Sequence, residues 1–161
     1  MTHSKIHTDF VAEFCQTTML RRAGPQDFAE AEHEIQTVFP AAYLAFLTHC
    51  GSGATPTLPA LAREAGVWPM AQLLSPLEAV ATSRAAWQAG MPRHLVAIAR
   101  SEENDLLCFH RAPSGQRSVE EALWTFLPDS GQAVRAFGSF DECLQEYRDA
   151  RYDRDEGASA A

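Results

Sequence analysis

Few residues in this 161-residue chain have the types and spacing to do chemistry. His94 and His110 flank a pair of apolar runs, and Cys108 lies two residues before His110. Residues i and i+2 of a strand face the same side, so Cys108 and His110 could both reach one metal ion, yet no third or fourth ligand follows at a recognisable spacing. A core thiol beside a strand-end histidine accounts for the same pattern, and no metal or other cofactor is expected. His49-Cys50 suggests a thiol nucleophile with its base, but adjacent helix positions do not face each other, and Cys50 belongs to an apolar stripe. Gly51-Ser52-Gly53 is a weak phosphate-loop signal, and neither G-x-S-x-G nor H-E-x-x-H occurs. Glu102, Glu103 and Asp105 could act as paired carboxylates in acid/base work, although neighbouring acids in a turn are more commonly solvated. The residues therefore predict no catalytic site and a protein that is not an enzyme.

The elements that would position these residues follow from periodicity. The centre of the chain is V-F-P-A-A-Y-L-A-F-L-T-H-C-G-S-G, residues 38–53. Pro40 suits the first turn of a helix, Tyr43, Phe46, Leu47 and Cys50 form its apolar stripe, and Gly51 ends it. Before it, Asp27 and Glu30 have capping-box spacing, and Phe28, Ala31, Ile35, Val38 and Phe39 mark a helix that runs into Pro40. A first helix, capped at Thr8 or Asp9, carries Phe10, Val11, Phe14, Cys15 and Thr18, with Arg21 and Arg22 at its C-terminal end and Gly24-Pro25 as a stop.

Beyond the breaker-rich residues 51–59, Leu58 to Gly66 suggests a helical turn. Val67 to Leu74 suggests a strand that Pro69 confines to an edge or a bulge. Ser75-Pro76-Leu77-Glu78 is a capping box that opens a helix to about Ala89, with Gly90 to close it. Leu95–Ala99 and Leu106–Phe109, joined by a polar turn, predict a hairpin, and Leu123–Leu127 and Val134–Phe137 predict two more strands around Pro128-Asp129-Ser130-Gly131. Ser139-Phe140-Asp141-Glu142 caps a last helix with Phe140, Cys143, Leu144 and Tyr147 inward. The polar stretch from Arg111 to Ser118 reads as a loop, and the charged, Ala/Ser/Gly-rich residues 151–161 as a frayed or disordered tail. The plan is a single α+β domain over residues 1–150, a mostly antiparallel sheet with helices packed against it.

Composition bounds the function. A chain of 17.7 kDa with 46% apolar and 21% charged residues can bury a full core. No apolar run is long enough for a membrane span, and the first residues lack a secretion-signal core, so a cytosolic location is expected. Four isolated cysteines then read as reduced thiols. The net charge is −8, with Lys5 the only lysine among 13 basic residues. Such a surface repels phosphate backbones, so direct nucleic-acid binding is not expected and a basic protein is the better partner.

A helix, then F-P-x-x-Y-x-x-F-L, then a glycine-rich turn, as at Phe39 to Gly53, resembles the opening of the SUKH superfamily. That superfamily holds a fungal cell-wall synthesis regulator and many bacterial toxin-immunity proteins. Trp68 ahead of the helix at Pro76, the strand pair Leu95 to Phe109, the aromatic strand L-W-T-F-L and Ser139-Phe140 at the last helix extend the likeness over residues 27–147. Two positions depart from the family pattern: Cys50-Gly51-Ser52-Gly53 stands where N-G-G is usual, and Cys143 replaces an aromatic. The resemblance implies a SUKH-like α+β fold and stoichiometric occlusion of a cognate protein toxin, in many cases a nuclease. A protein-binding scaffold of the same fold is the alternative. An acidic inhibitor suits a basic nuclease, and on that ground Glu102, Glu103, Asp105 and Asp129, four carboxylates in two turns, are the candidate partner-binding residues.

Overall fold

The computed structural model describes residues 5–111 and 121–159. Its elements run α1 (Lys5–Phe14), α2 (Pro25–Ile35), α3 (Ala41–His49), β1 (Gly53–Ala54), α4 (Leu58–Ala65), β2 (Met70–Leu73), α5 (Pro76–Gln88), β3 (Leu95–Ser101), β4 (Leu106–His110), β5 (Leu123–Leu127), β6 (Gln132–Phe137) and α6 (Phe140–Ser159). The six strands form one antiparallel sheet in sequence order, so every neighbour in the chain is also a neighbour in the sheet. This is the α+β plan expected, with three helices ahead of the sheet and one behind it. Residues 112–118 of the predicted polar loop, and residues 160–161, lie outside the described residues.

Successive residues of a strand point to opposite faces, and β3 and β4 are buried along almost their whole length. The central strands are therefore covered on both faces, which explains why their sequences are continuous apolar runs instead of alternating ones. β6 is the opposite case, exposed from Gln132 to Arg135, as befits an edge. The core is aromatic: Phe46 packs against Phe10 and Phe140, Tyr43 against Phe39, and Phe39 against Phe109 of β4. Tyr43 is fully buried, and its hydroxyl donates to the Leu74 carbonyl at 2.7 Å, which ties α3 to the end of β2. A buried hydrogen bond of this kind contributes about 1 kcal/mol.

Several boundaries differ from expectation, each for a local reason. α1 begins at Lys5, ahead of Thr8 and Asp9: in its first turn His7 is buried and bonds Asp141 at 2.6 Å, and further along Arg148 of α6 reaches Asp9 and Glu13. α1 ends at Phe14, so Arg21 and Arg22 lie well beyond it. Asp27 is the third residue of α2 and not its cap; Pro25 opens the helix, and the Gly24 N–H donates to the Asp27 carboxylate at 2.9 Å. α2 stops at Ile35, with Gln36 in the left-handed region, and Phe39 reaches the core from an extended link whose N–H donates to Glu32 at 3.0 Å. β2 is an interior strand between β1 and β3. Pro69 lies just outside it, and the sheet accommodates the junction with a register shift between Met70 and Gln72. α6 continues through residues 151–159, where composition predicts fraying.

The other caps follow the sequence closely. Ser75 and Glu78 form a reciprocal capping box at α5, and Ser139 accepts from the Glu142 N–H at 3.1 Å at the start of α6. The inward residues of α6, Phe140, Cys143, Leu144 and Tyr147, are all buried.

Candidate protein-interaction surface

Among the described residues, the cysteines and histidines singled out in the sequence do not form one reactive cluster. Cys108 is buried with its sulfur 4.0 Å from that of Met91, and burial pushes its thiol far above the usual range. His110 stacks on Trp124 at 4.8 Å and meets His94 edge-on at 4.9 Å. Cys50 is the C-terminal cap of α3, beside Cys15, whose thiol burial raises to about 12. Neither cysteine is activated, because desolvation disfavours the thiolate. Among the described residues no group of three or more His, Cys, Asp or Glu side chains is placed to hold a metal.

The carboxylates do converge. The β3–β4 loop is a tight turn in which the Asn104 N–H donates to the Ser101 carbonyl at 3.1 Å, Asn104 takes a left-handed φ of 67°, and the Ser101 hydroxyl accepts from the Asp105 N–H at 3.1 Å. A turn followed by a left-handed residue is the usual three-residue hairpin connection, and asparagine tolerates that conformation better than most residues. At the β5–β6 turn the Leu127 carbonyl accepts from Ser130 and Gly131 at 3.2 and 2.8 Å. Because the sheet is a meander and Leu106 pairs with Phe126, both turns lie side by side at one end of the sheet.

Glu102, Glu103 and Asp129 are exposed there, and Asp105 is half-buried between them. Burial raises the Asp105 carboxyl above its ordinary range, and the negative charges of Glu103 and Asp129 raise it further. The two turns thus share one electrostatic environment.

Sequence reasoning missed Arg63. From α4 its guanidinium reaches Glu102 at 3.0 Å and Glu103 at 2.6 Å, so one cation offsets part of the acidic cluster. Pairs this exposed contribute at most about 1 kcal/mol, which leaves the carboxylates able to exchange partners. No sequence signal links residues 39 and 40 positions apart; only the packing of α4 brings them together.

Around α4 the acidic character continues. A groove of about 570 Å³ between α4 and α6 is lined by the apolar Leu61, Ala65, Val67 and Ala150 and by the acidic Glu64, Glu146 and Asp149. Burial, then Glu142 and Asp149, hold the Glu146 carboxyl above its normal range. Glu142, Glu146 and Asp149 stand at i, i+4 and i+7, a helical spacing that the sequence analysis passed over and that could have marked them as one acidic face.

The surface thus combines charged turns at a sheet end, an exposed edge strand and a groove lined by apolar and acidic side chains. No curated protein matches the chain. A family model described as the SMI1 / KNR4 family (SUKH-1) matches residues 22–146, from ahead of α2 to within α6, and leaves α1 outside the match. That span, well over half of the chain and covering the whole sheet, establishes that the protein belongs to the SMI1 / KNR4 family (SUKH-1).

Proposed function

We propose that this chain is an immunity protein that binds a cognate protein toxin in the cytosol and neutralises it by stoichiometric occlusion, without catalysis. The observation that carries the reading is the gathering of Glu102, Glu103, Asp105 and Asp129 on two adjacent turns of a family member whose net charge is −8. Such a patch complements the basic substrate-binding cleft of a nuclease. Complementary charge accelerates encounter toward about 10⁸–10⁹ M⁻¹s⁻¹ at low salt, while apolar contacts supply most of the affinity once docked.

The test is co-expression with the product of the neighbouring gene, assayed for toxicity on its own. Growth restored by the wild-type chain, together with a 1:1 complex on purification, supports the reading. A chain that forms a complex with the neighbouring product and leaves its toxicity intact would favour a regulatory scaffold instead.

A further inference from the structure

A hollow of about 370 Å³ at the end of α2 and α5 has three arginines and one glutamate as its charged lining, although the chain as a whole is acidic. Its lining includes Glu34, Gln36, Arg84, Trp87, Arg93 and Arg111. Arg84 is ion-paired with Glu34, the one acidic residue of the lining. Arg93 and Arg111 have no carboxylate partner among the described residues.

Arg111 is held in place. Its backbone N–H donates to the His94 carbonyl at 2.6 Å, and its guanidinium lies over the Trp87 ring at 4.7 Å. The indole is fixed in turn, with Nε1 donating to the Leu95 carbonyl at 2.8 Å. The Arg111 Nε is buried without a hydrogen-bond partner. Burial, and secondarily Arg93, lower the guanidinium's pKa, yet a guanidinium does not give up its proton in a protein. A half-buried guanidinium held over an indole, beside a second arginine with no carboxylate partner among the described residues, gains free energy from an anion that accepts from both.

We propose that this hollow binds a phosphate-type dianion, free or as a small phosphomonoester, through the exposed Arg93 and the Arg111 guanidinium that Trp87 holds in position. A dianion matches two unpaired guanidiniums, where a carboxylate would leave one uncompensated. The hollow exceeds the size of a bare phosphate, which leaves room for the organic part of an ester. The −8 charge of the whole chain repels an extended polyanion, so the ligand is a discrete small molecule and not a nucleic acid. The inference is independent of the immunity reading, since the acidic turns contribute nothing to the hollow.

Inorganic phosphate and phenyl phosphate are titrated into the full chain at constant ionic strength set by sodium chloride, with binding read by calorimetry and by the rise in Tm. Saturable binding of at least one is expected, with chloride inert. Arg93→Ala, at an exposed position, and Arg111→Met, which keeps an apolar stem over Trp87, should each weaken binding by about tenfold or more, the effect of losing a hydrogen bond to a charged group. Tighter binding of phenyl phosphate assigns the site to an ester, and equal binding assigns it to the free ion. No saturable binding of either probe, or undiminished binding by Arg93→Ala, overturns the proposal.

Discussion

Asp105 shows how a single side chain can serve the surface at some expense to the fold. Its carboxyl is raised by burial and by the charges of Glu103 and Asp129, so the folded chain holds that proton more tightly than the unfolded one. The ionised form is therefore a destabilising feature, present at neutral pH and relieved as pH falls through the raised value. Asp105→Asn should raise Tm at pH 7, and the gain should shrink toward zero as the pH drops below the carboxylate range. A thermal melt series from pH 7 to pH 3 checks this, and an unchanged or lowered Tm at pH 7 would contradict it. The grouping of Glu102, Glu103 and Asp105 was legible in the sequence because all belong to one hairpin turn. Their union with Asp129 required only the strand order. Arg63 was not legible, since it comes from a helix far away in the chain, and neither was the Arg93–Arg111–Trp87 arrangement, which depends on how α5 crosses β3.

At the level of elements, legibility followed the range of the forces involved. The caps at Ser75 and Ser139 and the hairpin at 95–109 are local, and the structure has them where the residues indicate. The placement of α1 is not local: it is tied to α6, through His7 with Asp141 and Arg148 with Asp9 and Glu13. The same applies to the connection at Gly51. Its φ of 111° already favours glycine, and a Cβ there would stand 2.8 Å from the backbone of Arg21, because residue 21 bridges to Ser52 through reciprocal bonds of 3.0 Å. Gly90, at φ 118°, has open space around it. Gly51→Ala should therefore cost both conformational strain and displacement of the Arg21 segment, at least about 2–3 kcal/mol, against about 1–2 kcal/mol for Gly90→Ala. At about 2–4 °C per kcal/mol for a chain of this size, melting temperatures separate the two. Equal losses would show that the Arg21–Ser52 bridge contributes little.

For the molecule as a whole, the division of labour is plain. The aromatic residues of the helices and the apolar runs of β3 and β4 form one interior, and the thiols that first suggested chemistry are packed in it or against it, while His49 and His94 are exposed. The surface carries acidic turns and an acidic groove around α4, with the arginine-lined hollow at the ends of α2 and α5 as a basic counterpart. α1, outside the family match, buries Phe10 and Phe14 against this interior and is part of the same body. The proposed activity then lies in the shape and sign of that surface. Its most direct test is the affinity of the chain for the proposed toxin partner, measured by calorimetry across a range of ionic strength, for the wild type and for the combined variant Glu102→Lys, Glu103→Lys, Asp129→Lys. Tight wild-type binding that weakens with salt, and a variant with about tenfold or greater loss of affinity and a flattened salt dependence, is the predicted result. A variant that binds as tightly as the wild type, with the same response to salt, would contradict the account.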